Sequence, residues 1–252
     1  REITLADKPK IDSLLSLAPN LGCENCFTNL FVWRGIYLLK LLYIAEDRAV
    51  IYNGRDKCIY FPIGRIPSPR ELREIHRAFS ENKLLLPDSR IYNVPPDYPE
   101  KFPEAQALFD FDANPGEADY IYDVEKQIAL TGPKLRKKRN HIKHFTAQNP
   151  NASVEPIGES NFKSVLRFMD SEDDKKHLFA EEVAIAEAFE NFRTLGLYGT
   201  VLYSEPGKIA AAAVMGPMSS TAHSVHFEKS DKLVEGASQM IVKGEAQSIL
   251  EH

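Results

Sequence analysis

Residues 119–145 read DYIYDVEKQIALTGPKLRKKRNHIKHF. The alternation at Tyr120–Tyr122 predicts a short strand, Gly132-Pro133 a turn, and Lys134–Phe145 a helix. On that helix Leu135, Ile142 and Phe145 form an apolar stripe. Arg136, Lys137, Asn140, Lys143 and His144 point away from it, and Lys138 and Arg139 border it. No acid occurs between Glu125 and Glu155, although the whole chain carries a net charge of −5. A basic stretch in an acidic protein is a candidate for meeting an anion. The plainer reading is a solvated surface helix. The sharper one is that Lys138 and Arg139 flank a cleft and hold phosphate, Arg as a planar fork and Lys as a point charge.

This stretch lies near the middle of 252 residues, and the elements on its two sides follow one order. Upstream are a strand at Ile3–Leu5, a helix capped by Asp7, and a helix or strand within Asn29–Tyr37. Strands follow at Leu38–Ala45, Ala49–Tyr52 and Lys57–Pro62, then a helix opened by Ser68-Pro69 and a strand at Ile91–Val94. Pro95–Pro103 holds four prolines and is expected to be a loop or connector. Downstream are a strand at Val154–Ile157, a helix capped by Ser160, a charged loop at Ser171–Lys176 and a helix at Glu181–Leu195. A three-stranded meander (Leu197–Tyr203, Ile209–Met215, Ala222–Glu228) and a helix over Val234–Ile249 complete the second half. Two α+β domains are therefore expected, 1–115 and 116–252, each of ordinary domain size.

Composition is that of a globular protein, 43% hydrophobic and 27% charged. No apolar run approaches the ~18 residues needed to span a bilayer, and no secretory leader is evident. Three cysteines make no disulfide framework. Cys23-x-x-Cys26 stands alone, without the further ligands zinc needs, so both thiols are read as structural and no metal site is expected. The reading is of a cytoplasmic protein.

Two further places could carry chemistry. On a strand, His226 and Glu228 share one face and Phe227 and Lys229 the other. A His and a carboxylate at a strand end could serve as an acid/base pair, or form a polar edge with a salt-bridging Glu. After Asp231 the last helix opens with Gly236 and Ala237, and Gln239 follows on its first turn. Backbone N–H groups there could take an anion, with glycine allowing close approach, or the segment could be a simple cap.

Taken together, these segments resemble a known family. The basic stretch resembles the opening of the second domain of the DUF2156 family. Residues 186–241, AEAFENFRTLGLYGTVLYSEPGKIAAAAVMGPMSSTAHSVHFEKSDKLVEGASQMI, resemble its core, and FTNLFVWR at 27–34 its Asn-Leu-x-x-Trp-Arg motif. That family is similar to the C-terminal domain of phosphatidylglycerol lysyltransferases. The resemblance implies two tandem GNAT-like (acyltransferase) folds and aminoacyl transfer. It implies a charged tRNA as donor, and a lipid headgroup as one candidate amine or hydroxyl acceptor. It places His226 and Glu228 as catalytic residues, and Lys138, Arg139, Asn140, His141, Lys229, Gly236, Ala237 and Gln239 as phosphate- or substrate-binding. The pyrophosphate loop of CoA users is not spelled out at Lys232–Ala237, which favours aminoacyl-tRNA over acyl-CoA. Relatives also carry an Asn-Arg-Glu-type stretch after the last helix, and the sequence given stops at Leu250-Glu251-His252, a tripeptide that also begins a common vector-encoded tail. Two other readings stay open, an acyl-CoA-dependent N-acyltransferase and a non-catalytic anion-binding module. Location at the inner membrane face is a further expectation.

Overall fold

Residues 1–18, 20–86, 88–171 and 178–252 are described by the computed structural model, and they divide into two units, Arg1–Asp119 and Tyr120–His252. In the first unit the strand expected at Ile3–Leu5 is reduced to one bridge, Glu2 to Lys40, and a 3-10 turn at Leu5–Asp7. Asp7 supplies the reason. Its carboxylate accepts from the amide and hydroxyl of Thr4, both at 2.9 Å, which turns the chain before a strand can continue. The Arg1 guanidinium and these bonds hold the Asp7 carboxyl down at about 2.

The unit continues through α1 (Lys8–Leu17), α2 (Phe27–Val32), β1 (Leu39–Ala45), β2 (Arg48–Asn53), β3 (Cys58–Tyr60) and β4 (Ile63–Gly64). It ends with α3 (Pro69–Glu81), β5 (Ile91–Tyr92) and α4 (Tyr98–Lys101). β1, β2 and β3 are antiparallel, β4 pairs with β2, and β5 returns parallel to β3 after the α3 crossover. α3 begins as its sequence predicts. Ser68 Oγ accepts from Glu71 N at 3.4 Å and a Glu71 carboxylate oxygen accepts from Ser68 N at 2.8 Å, a reciprocal cap with Pro69 at the first position. The proline-rich connector is not a bare loop. Its α4 buries Tyr98, whose hydroxyl donates to Pro67 O at 3.0 Å and whose ring meets Phe61 edge-on at 5.1 Å.

In the second unit Tyr120–Tyr122 does not form a strand. These side chains are 86%, 68% and 56% exposed, and among the described residues no strand pairs with them. Alternation without a partner yields only an extended segment, with the two tyrosine rings stacked at 6.2 Å. α5 (Val124–Ala129) follows, capped by Asp123, whose carboxylate accepts from Lys126 N at 3.0 Å. A 3-10 turn at Pro133–Leu135 leads into α6 (Arg136–Gln148). Then come β6 (Ser153–Pro156), α7 (Phe162–Met169), α8 (Leu178–Glu190), α9 (Phe192–Leu195), β7 (Tyr198–Glu205), β8 (Lys208–Pro217), β9 (His223–Ser230) and α10 (Ala237–Ile249). The N-cap of α7 is Asn161 rather than Ser160, and Asn161 Oδ1 accepts from Gly158 N at 2.9 Å. The charged loop expected at Ser171–Lys176 lies, beyond Ser171, outside the described residues.

The four strands form an antiparallel sheet in the order β6-β7-β8-β9. β8 is its centre. Ala210 through Met215 are wholly buried, as expected of a strand covered on both faces. Small alanines let helices lie close. On one face Ala211 and Ala213 pack with Phe145 of α6 and with Ala237 and Ile241 of α10. Burying a side chain such as Phe145 contributes about 2–3 kcal/mol. In both units helices precede an antiparallel meander and a further helix follows it, with two helices (α1, α2) in the first unit and three (α7, α8, α9) in the second.

Candidate functional site

The site is built where β9 departs from regular pairing. Val214 pairs with Phe227, but the next residue, Met215, pairs with Val225, so His226 is an extra residue on β9. Such a bulge breaks the alternation of side chains. The expectation that His226 and Glu228 share a face fails for this reason. A Cβ on Gly216 would lie 2.9 Å from His226 Nε2. Gly216 alternates with Val214, the partner of Phe227, so the imidazole belongs to the Phe227 side of the sheet. Burial lowers its pKa to about 4, and the ring is neutral at neutral pH.

Glu228 stands on the other face, paired with Ala213, under α10 and α6. Its neighbour is Glu245 of α10, and the two carboxyls lie close enough to share a proton. Glu228 is exposed, whereas Glu245 is 5% exposed. Lys138 of α6 acts on both carboxyls as a nearby positive charge. Its ammonium also donates to Gln127 Oε1 at 3.5 Å and lies 5.5 Å from the centre of the Tyr122 ring. The result is one exposed and one buried carboxyl beside one lysine. Burial, and then the charge of Glu228, raise the Glu245 carboxyl to about 8, so at neutral pH it holds a proton and donates to Glu228. Glu228 is also raised, chiefly by desolvation, while Lys138 opposes the shift.

The other residues expected at a phosphate site are placed elsewhere. Arg139 does not join Lys138. Its guanidinium donates to Leu130 O and, at 2.8 Å, to Gly132 O, fastening the turn in which Leu130 and Gly132 both take positive φ. Arg139→Ala is expected to lower stability by about 1–2 kcal/mol in urea unfolding, from loss of a charged donor to two carbonyls. Asn140 is exposed on α6. His141 and His144 face Glu235, with nitrogen–oxygen distances of 3.7 and 3.4 Å. Lys229 points to the Phe227 side, where its ammonium donates to Met169 O at 3.3 Å, to Ser171 Oγ at 3.0 Å and to Ser171 O. It thus caps the C-terminal end of α7.

Gly236 is the N-cap of α10, with φ +83°. A Cβ there would be 2.6 Å from His141 O and 2.9 Å from Phe145 Cβ, so the glycine serves close packing of α10 on α6. Ala237 is fully buried and its amide already donates to Val234 O at 3.2 Å, while Gln239 is partly exposed on the first turn. The start of α10 thus packs against α6 at Gly236.

In the first unit Cys23 and Cys26 are free cysteines, and the Cys26 side chain is bonded locally. Its thiol donates to Cys23 O at 3.4 Å and accepts from Asn29 N at 3.5 Å, capping α2. Among the described residues one group of ligand-type side chains converges, Cys23, Glu24 and Asp119, with atoms within 4.8 Å of one another. Burial and the two neighbouring carboxylates push the Cys23 thiol far up, which disfavours a thiolate.

Glu245 escaped the reading of the sequence. A signal was present: Ala237, Ile241 and Glu245 are spaced by four on α10, so the glutamate occupies a position of the buried stripe.

Several solved structures share the fold. A conserved protein of unknown function from Bacteroides thetaiotaomicron VPI-5482 superposes with a TM-score of 0.86 at 27% identity, over 100% of this chain and 86% of that one. The L-PGS structure from Bacillus licheniformis gives 0.62 at 14% identity, over 99% and 75%. The C-terminal domain (DUF2156) of a putative lysylphosphatidylglycerol synthetase from Agrobacterium fabrum gives 0.56 at 11%, over 98% and 75%. At the latter two identities the likeness is one of fold. No curated protein matches the sequence. No described helix is long and apolar enough to cross a membrane. The family described as phosphatidylglycerol lysyltransferase, C-terminal, matches residues 16–252, and the chain belongs to it.

Proposed function

We propose that the chain transfers an aminoacyl group from a charged tRNA to an amine or hydroxyl acceptor, with a phospholipid headgroup as the candidate acceptor, at an inner membrane face. The observation that carries this reading is the exposed carboxylate of Glu228, backed by buried Glu245 and flanked by Lys138. Glu228 takes the proton from the acceptor O–H or N–H as its heteroatom bonds to the ester carbonyl carbon. The bond from that carbon to the ribose oxygen then breaks, and Glu228 returns the proton to the leaving oxygen. Lys138 holds a donor or acceptor phosphate. His226, neutral and behind Gly216, is given no proton to move. The repeated order of elements supports the tandem GNAT-like description of the fold.

Close packing of Gly236 against α6 favours tRNA over CoA as donor, because that start is where CoA-using relatives would seat a pyrophosphate. Micromolar binding of CoA in calorimetry would reverse the preference. Lys138→Ala is expected to weaken charged-tRNA binding several-fold and to reduce the slope of log affinity against log salt by about 1. Equal affinity and slope would remove the phosphate role from Lys138.

A further inference from the structure

Glu245 is absent from the roles just assigned, yet it is the most unusual side chain in the second unit. It is only 5% exposed. Its Oε1 has no hydrogen-bond partner among the described residues. Leaving such a group inside a protein is costly unless it serves something. Two carboxyls in hydrogen-bond contact cannot both ionise, and the one in the drier place keeps the proton. Here that is Glu245, and the exposed partner is left as the charged one.

We infer that Glu245 is a positioning residue for the proposed transfer: its buried carboxyl donates to Glu228 and holds that exposed carboxylate in one orientation toward the acceptor. The inference rests on Glu228 acting as the base. The surroundings favour this division of labour. Of the elements packed on α10, β9 contributes Glu228 and α6 contributes Lys138. The others present uncharged groups: Gln127 from α5, Thr200 from β7, alanines from β8 and Val154 from β6. Shared between one proton, two carboxyls and one lysine, the cluster is neutral overall, which suits its burial. An exposed Glu228 without this donor would sample several rotamers, and few of them would face an attacking atom.

The test compares Glu245→Gln with Glu245→Leu in the charged-tRNA transfer assay between pH 6 and 9. The amide of the Gln variant keeps a donor and has no proton to lose. It is expected to preserve the wild-type rate at pH 7 and to abolish the fall in kcat expected of the wild type near pH 8. The Leu variant, of similar size but without a donor, is expected to lose about tenfold or more in kcat with KM unchanged. A Leu variant with wild-type kcat, or a Gln variant that keeps the alkaline fall, overturns the inference.

A second measurement does not depend on transfer. A folded pKa raised above the unfolded value gives stability that is complete below about 4.3 and is lost as pH rises through about 8. The urea midpoint of the wild type should therefore decline over that window relative to that of the Gln variant. Parallel curves overturn the shared proton. If the curves diverge but no variant transfers from any charged tRNA, the proposed function falls while the paired carboxyls stand.

Discussion

Glu228→Gln is expected to slow aminoacyl transfer by roughly 10²–10⁴-fold at pH 7, the range lost when a positioned base is removed. The substitution keeps length and shape, so little of the effect would come from packing. What it removes is the charged oxygen that accepts the acceptor's proton. KM should change little, since the carboxylate acts on a proton that moves only in the transition state. The same change has a second consequence at Glu245. Without a charged neighbour, the buried carboxyl loses one of the causes that raise its pKa, although desolvation remains the larger cause. The decline of stability between about 4.3 and 8 should accordingly shift to lower pH. A variant that transfers at the wild-type rate would show that Glu228 is not the base. Glu228→Asp should fall between the two, because the shorter side chain keeps the charge but withdraws it from both Glu245 and the acceptor.

How much of this was readable beforehand depends on which physical rule applied. The meander β7-β8-β9 and the helix α3 were legible because alternation, turn residues and a capping box all act locally. Tyr120–Tyr122 has the same alternation, but a strand also needs a partner, and pairing is not written in the segment itself. The shared face of His226 and Glu228 was lost to one extra residue in β9, a feature that strand periodicity cannot reveal. Lys138 and Arg139 look equivalent in a basic run. They are separated by the left-handed turn at Leu130 and Gly132, whose carbonyls attract the guanidinium and leave the lysine beside the carboxyls. Glu245 stood in an apolar stripe, and its partner lies on a strand fifteen or more residues earlier in the chain, so only the fold brings the two together.

Gly236→Ala is expected to cost about 2–4 kcal/mol of stability, the largest loss from any single methyl group considered in this unit. Two costs add. At φ +83° an L-residue gives up about 1–2 kcal/mol through its own backbone. The new Cβ would also lie 2.6 Å from His141 O and 2.9 Å from Phe145 Cβ, both fixed parts of α6. Relief requires the start of α10 to lift from α6, which loosens Ala237 and Ile241 from the core they share with Phe145. The urea midpoint should fall with little change in slope. Because α10 also carries Glu245, the shift should reach the carboxyl pair, and a displacement of about 1 Å can cost 10²-fold in rate. Gly132→Ala supplies the control. It too has positive φ, +89°, but nothing lies within 4 Å of its Cβ, so only the backbone cost of about 1–2 kcal/mol should appear. Equal losses at the two glycines would mean that close contact with α6 is not why residue 236 lacks a side chain. An open helix start, available to an anion, would then regain its place in the account of the site.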